Sequence, residues 1–130
     1  MLVYLDTAAA LKILIDEPET RAMRETFHGW QLEGHDIVAS YLLHTEMHCA
    51  ARRRGFAEAQ TIDQLLSAVG LIDIERSHLL VASRGEHSLR SADAIHLAAA
   101  LAVDADLLVT YDHELTSAAE REGLRTASPA

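Results

Sequence analysis

A single cysteine, Cys49, stands in 130 residues. That excludes an internal disulfide and any zinc site built from several thiolates. Aromatic residues make up only 5% of the chain, too few for a platform on which successive bases stack. No apolar run approaches the roughly 18–20 residues of a membrane span. The opening "MLVYLD" carries no basic segment and enters structure at once, which argues against a signal peptide and for a cytoplasmic protein. Positive charge is also scarce: 11 Lys and Arg against 20 Asp and Glu leave a net charge of −9, and Lys12 is the sole lysine. A broadly basic surface that coats nucleic acid is therefore excluded. A nucleic-acid substrate held locally is not, because acids that converge on divalent metal neutralise or reverse their own field.

What remains is ordinary for a soluble domain: 49% hydrophobic and 24% charged residues, read as one domain over 1–130. "LVYL" (Leu2 to Leu5) lacks polar alternation, as a buried parallel strand does. A helix is expected from about Ala8 to Ile15, and a second one beginning at Pro18, a favoured first helical position. "HDIVAS" reads as a strand, Tyr41 to Arg54 as a helix ending at Gly55, and Phe56 to Val69 as another ending at Gly70. "GLIDIE" suggests a third strand, followed by a helix over about Ser77 to Arg84. Ser91 is the expected N-cap of the next helix, which runs to about Val103. "ADLLVTYD" is a buried strand, Leu115 to Glu122 a helix, and "GLRTAS" an edge strand, with "TASPA" expected to fray. Alternating strands and helices predict an α/β fold with a mainly parallel central sheet between helical layers.

Four acids stand out against this frame. Asp6 and Asp112 follow the carboxyl ends of two strands, the edge where open α/β sheets bind ligands. Asp93 heads a helix, "AIHLAAALAV", that is apolar on nearly every side. A cap and dipole role accounts for such a charge by itself, at roughly 0.3–1 kcal/mol. Glu46 is harder to place, since Leu42, Leu43, Cys49 and Ala50 surround it at i−4, i−3, i+3 and i+4. Burying that carboxylate costs several kcal/mol unless it is paired. Lys12 or an arginine is one partner; a divalent cation shared with the other three acids is another. Oxygen ligands suit Mg²⁺ or Mn²⁺, and such a cluster suits hydrolysis of a phosphodiester.

Four segments, in order along the chain, resemble the PIN-domain ribonucleases, and specifically the VapC toxins of bacterial toxin–antitoxin pairs. They are "YLDTAAALKIL", "HTEMHCAARR", "LRSADAIHLAAAL" and "LLVTYDHELTSAAEREGLRT". The resemblance implies a PIN-like three-layer fold and an Mg²⁺- or Mn²⁺-dependent endoribonuclease. It places catalysis and metal ligation on Asp6, Glu46, Asp93 and Asp112. Thr110 becomes a supporting residue that hydrogen-bonds a carboxylate or a metal-bound water. It also implies an RNA substrate, inhibition of translation, a homodimer, and a cognate VapB-type antitoxin that binds in a hetero-oligomer and sets a basic side chain among the carboxylates. Two positions depart from the family pattern: Ala8 replaces a frequent serine, and His113 with Glu114 replaces a frequent basic residue after Asp112.

Other features invite separate readings. His44 and His48, at i and i+4, are able to share a metal on one helix, but "HTEMH" lacks the His-Glu-x-x-His order of a zinc protease, and zinc is not expected. His96, one turn after Asp93, reads first as a satisfied structural histidine, with packing near the site or contact at a subunit interface as the other reading. Arg52, Arg53 and Arg54 form the only basic run, either a solvated helix end or a contact for RNA or antitoxin. Met23, Phe27 and Trp30 space as a core stripe. Among competing functions, a haloacid-dehalogenase-type phosphatase needs an acid where Ala8 stands, and a receiver domain needs paired acids and a late lysine. A non-catalytic RNA-binding or interaction module on the same fold is the third alternative.

Overall fold

The computed structural model describes residues 1–130: five strands form one sheet, and seven helices pack around it. Strand β1 (Leu2–Leu5) is central in the order β3-β2-β1-β4-β5. All pairings are parallel, with Val3 facing Ile37 of β2 (Asp36–Ser40) on one side and Leu107 of β4 (Leu107–Val109) on the other. The edges are β3 (Gly70–Ile72) and the very short β5 (Thr126–Ala127). Val3, Tyr4 and Leu5 are fully buried, and Leu107 to Val109 are buried too. Both faces of these strands are covered by helices, which is why their sequences are apolar without alternation.

Helices α1 (Thr7–Leu14) and α2 (Thr20–Leu32) follow β1, α3 (Leu42–Arg54) and α4 (Ala59–Leu66) follow β2, and α5 (Arg76–Arg84) and α6 (Ser91–Ala102) follow β3. Helix α7 (His113–Arg121) links β4 to β5. Met23, Phe27 and Trp30 form the buried stripe of α2, as their spacing predicts. Gly55 closes α3 at φ 69°, a left-handed cap that L side chains rarely adopt. No helix is long and apolar enough to cross a membrane.

Four local expectations fail for physical reasons. The second helix starts at Thr20 rather than Pro18, because the Thr20 hydroxyl donates to the Ile15 carbonyl (2.6 Å) and accepts from the Glu17 amide (2.9 Å), holding Pro18 in a turn. The fourth covers only Ala59–Leu66. Phe56 and Ala57 pack on the core outside it, Arg54 lies 5.8 Å over the Phe56 ring, and Gly70 opens β3. Helix α6 is capped by Arg90 in extended backbone, with no side-chain cap bond, so Ser91 is its first helical residue. The tail does not fray: the Thr110 amide donates to the Ala127 carbonyl (3.1 Å), the Ser128 hydroxyl to the Thr110 carbonyl (2.6 Å) and the Tyr111 hydroxyl to the Pro129 carbonyl (2.6 Å).

Candidate active site

The chain builds β1, β2 and β3 outward to one side, then returns to place β4 on the other side of β1. The carboxyl ends of β1 and β4 therefore flank a topological switch point, where neighbouring connections diverge and leave a crevice. Asp6 comes directly off β1, and Asp112 follows β4 after Thr110 and Tyr111. Each is also a helix N-cap: Asp6 Oδ1 accepts the Ala9 amide at 2.9 Å, and Asp112 Oδ1 accepts the Leu115 amide at 2.8 Å. Asp93 lies in the first turn of α6. Helix N-termini favour negative charge, so three helix starts hold three carboxylates. Glu46 comes from the flank of α3.

The Thr110 hydroxyl ties the strand ends together. It donates to Asp6 Oδ2 and accepts the Asp112 amide at 3.0 Å. Asp6 is only 1% exposed. Burial pushes its carboxyl from the ordinary 3.8 up to about 6, against the opposing pull of the Thr110 and Ala9 hydrogen bonds, with Asp93 adding to the rise. Asp93 is also raised, first by burial and then by the charge of Asp112, with Glu46 contributing. These mutual influences show one electrostatic neighbourhood. No three of the four acids have ligand atoms within 4.8 Å of one another; the one such trio in the chain is His44, His48 and Asp63. An ion that keeps several waters does not need the carboxylates in mutual contact.

Glu46 finds neither Lys12 nor an arginine. Lys12 bonds Glu17 (3.0 Å) and Glu19 (2.9 Å) and lies over the Tyr111 ring. Instead Glu46 Oε1 accepts the Thr7 hydroxyl at 2.5 Å and His96 Nε2 at 2.9 Å. Burial raises the Glu46 carboxyl, but the His96 and Thr7 hydrogen bonds outweigh it and the net shift is downward. His96, 1% exposed, is fixed in turn from behind. The Ser40 amide donates to Tyr4 Oη (3.1 Å), so the phenol hydrogen points to His96 Nδ1 (2.8 Å) and leaves Nε2 as the donor to Glu46. The Tyr4 hydroxyl is pushed up to about 12 by burial and remains neutral.

Residues 3–121 match the model of the PIN domain family. Ribonuclease VapC47 of Mycobacterium tuberculosis (strain CDC 1551 / Oshkosh) is 36% identical over 132 residues, covering 98% of this chain and 97% of the relative. The chain belongs to the PIN-domain VapC ribonuclease family. Ribonuclease VapC46 of the M. tuberculosis strain ATCC 25618 / H37Rv is 32% identical over 130 residues, covering 98% of this chain and 97% of the relative. Among solved structures, a toxin–antitoxin complex from Klebsiella pneumoniae superposes with a TM-score of 0.73 at 21% identity, covering 98% of each chain. M. tuberculosis VapC20, described as a sarcin–ricin loop cleaving toxin, also gives 0.73 at 13% identity, with 89% of this chain and 94% of that one covered. At such identities the superpositions bear on the fold alone.

The donor set of this VapC-family chain fits a hard divalent cation. It offers carboxylate oxygens, none of them paired with Lys or Arg, among them those of the buried Asp6, whose carboxyl burial raises despite the nearby His96. Arg52, Arg53 and Arg54 lie exposed at the far end of α3. A cavity of about 470 Å³ is elsewhere: it lies between α5 and α6, lined by Leu79, Val81, Ile95 and Leu101, and holds none of the four acids. Sequence reasoning missed Thr7, Tyr4 and Ser40 as supports of the site. Tyr4 alone carried a signal, because a tyrosine in a fully buried strand needs a partner for its hydroxyl.

Proposed function

We propose that this chain is a metal-dependent endoribonuclease, the toxin of a VapBC-type pair, which hydrolyses RNA phosphodiester bonds and so inhibits translation. The observation that supports this reading is that Asp6, Glu46, Asp93 and Asp112 share one electrostatic neighbourhood beside the ends of β1 and β4, with none of them paired to a lysine or arginine. The curated relatives are named ribonucleases and match this chain over nearly their whole length, which supports the same activity here.

In this proposal the four carboxylates would hold Mg²⁺ or Mn²⁺, which would supply Lewis acidity for phosphodiester hydrolysis when bound. Asp6 is the fixed ligand, clamped by Thr110 and the α1 amide. Glu46 is held ionised and oriented by Thr7 and His96. Asp93, whose carboxyl is raised by burial and by the charge of Asp112 and is lowered by no hydrogen bond, is the acid proposed to take a proton from attacking water. Arg52 to Arg54 meet RNA phosphate or an acidic face of the antitoxin, and a basic antitoxin side chain entering the carboxylates blocks the cleft. Exposed Leu79, Leu80, Val81 and Leu101, on α5 and α6, form the face through which two copies pair.

The test incubates antitoxin-free protein with RNA in Mg²⁺, Mn²⁺ or chelator, beside Asp6→Asn and Asp93→Asn. Cleavage is expected only with metal and only in the unsubstituted protein. Cleavage that persists in chelator, or in both variants, removes the assignment. RNA binding without cleavage under all conditions establishes the non-catalytic module instead.

A further inference from the structure

Helix α3 carries a second group of ligands on the side away from the acid cleft. At 100° per residue, His44 and His48 lie 40° apart around the helix, and Glu46 lies about 160° from each. Helix α4 packs against α3 and brings Asp63 to the histidine face. His48 Nε2 is 2.8 Å from Asp63 Oδ1, the His44 and His48 rings are 4.6 Å apart between centroids, and one ligand atom from each of the three residues lies within 4.8 Å of the others. The Tyr41 ring flanks His44 at 5.9 Å between centroids.

We propose that His44, His48 and Asp63 form a site for a borderline divalent cation, of which Zn²⁺ is the prototype, separate from the Mg²⁺-type cleft. Two imidazoles and one carboxylate are a donor set suited to Zn²⁺, Ni²⁺ or Co²⁺ and poorly suited to Mg²⁺. Ligands about 2.0–2.2 Å from a tetrahedral ion stand roughly 3.3–3.6 Å from one another. The His48–Asp63 pair, at 2.8 Å, therefore opens by about half an ångström, and since no pair is wider than 4.8 Å no other gap has to close by more than about 1.5 Å, within reach of side-chain rotation. Asp63, 64% exposed along its side chain, is free to make that move. A fourth position is left for water. Bound there, the ion cross-links α3 to α4, and so stiffens the helix that presents Glu46 to the cleft from its other side. The sequence shows the histidine pair but not Asp63, which is 15 residues further on and comes close only through the α3–α4 packing.

Untagged protein, freed of metal, is titrated with Co²⁺ and followed by visible absorption, then with Zn²⁺ by calorimetry and thermal unfolding. The proteins compared are the unsubstituted chain, His44→Gln, Asp63→Asn and the double variant Asp6→Asn/Asp93→Asn. One Co²⁺ with the intense absorption of tetrahedral coordination is expected, displaced by Zn²⁺ and unaffected by excess Mg²⁺. Zn²⁺ at a hundredfold over its Kd raises Tm by about 5–10 °C. His44→Gln and Asp63→Asn lose at least tenfold in affinity, while Asp6→Asn/Asp93→Asn keeps it. The proposal is overturned if the His44 and Asp63 variants bind as the unsubstituted chain does, or if binding disappears with Asp6 and Asp93. Absence of Zn²⁺ binding at micromolar concentrations overturns it as well, leaving His48–Asp63 a simple hydrogen-bonded pair.

Discussion

Replacing Asp6 by asparagine should make the metal-free protein more stable at neutral pH while destroying its site. Asp6 is 1% exposed, and its carboxyl titrates at about 6 instead of 3.8. The folded state thus holds this proton more tightly than the unfolded chain does, and between those two values stability falls as pH rises. The penalty is complete above the folded value, and it disappears as pH drops through about 6 toward 3.8. A shift of this size corresponds to about 3 kcal/mol. Asparagine mimics the protonated acid but must turn its amide toward Thr110, whose hydroxyl already accepts the Asp112 amide. Losing one good hydrogen bond there takes back about 1 kcal/mol. The net expectation at pH 7.5 in chelator is a gain of about 2 kcal/mol, or roughly 5–10 °C in Tm. Urea unfolding of both proteins between pH 5 and 7.5 is the assay. The unsubstituted chain should gain stability on acidification across that range, and the variant should gain much less. Glu46, shifted downward, stays ionised there and does not contribute. Mg²⁺ should then stabilise the unsubstituted chain and leave the variant unmoved. Equal stability at pH 7.5 with parallel pH slopes would falsify the claim that Asp6 is a costly buried charge awaiting a cation.

Three further predictions address the supports. Tyr4→Phe leaves the Ser40 amide and His96 Nδ1 without their buried partner and should cost about 1–3 kcal/mol in urea unfolding; a change under about 0.5 kcal/mol would mean the network relaxes freely. Thr110→Val keeps the shape but removes the Asp6 donor and the Asp112 acceptor. Mn²⁺ affinity by calorimetry should fall about 10–100-fold, and an unchanged Kd would show that this hydroxyl is not part of the site's support. Changing Arg52, Arg53 and Arg54 to Gln should weaken RNA binding and flatten its salt dependence by about 0.7 in log–log slope for each phosphate no longer neutralised. An identical salt series in the variant would leave these arginines a solvated helix end.

The strand–helix alternation and the places of Asp6, Asp93 and Asp112 were legible because they depend on local pattern: apolar runs ending in an acid, and an acid ahead of an apolar helix. What escaped depended on packing across distant segments. Glu46 could be seen to need a partner, but the partners are Thr7 and His96, at separations of 39 and 50 residues. The choice of His96 over Lys12 follows from Lys12 being engaged by Glu17 and Glu19 in the turn around Pro18. Ser91 has the composition of an N-cap, yet the chain enters α6 one residue earlier, since Arg90 already has the extended backbone a cap requires. Fraying was expected of "TASPA" from composition, which is blind to the hydrogen bonds offered by Thr110 and Tyr111.

Those tail bonds have a practical consequence for handling the protein. In an all-parallel sheet every strand exits at the same rim, so the residues after β5 emerge beside the ends of β1 and β4, where Asp6 and Asp112 lie. The amino terminus enters at the opposite rim, where Met1 meets His35. A reporter or affinity handle fused behind Ala130 would crowd the mouth of the cleft and tug on Thr110 through Ser128. The same handle fused ahead of Met1 leaves that rim clear, so paired fusions at the two ends are a ruler for how close a bulky ligand must come to the carboxylates.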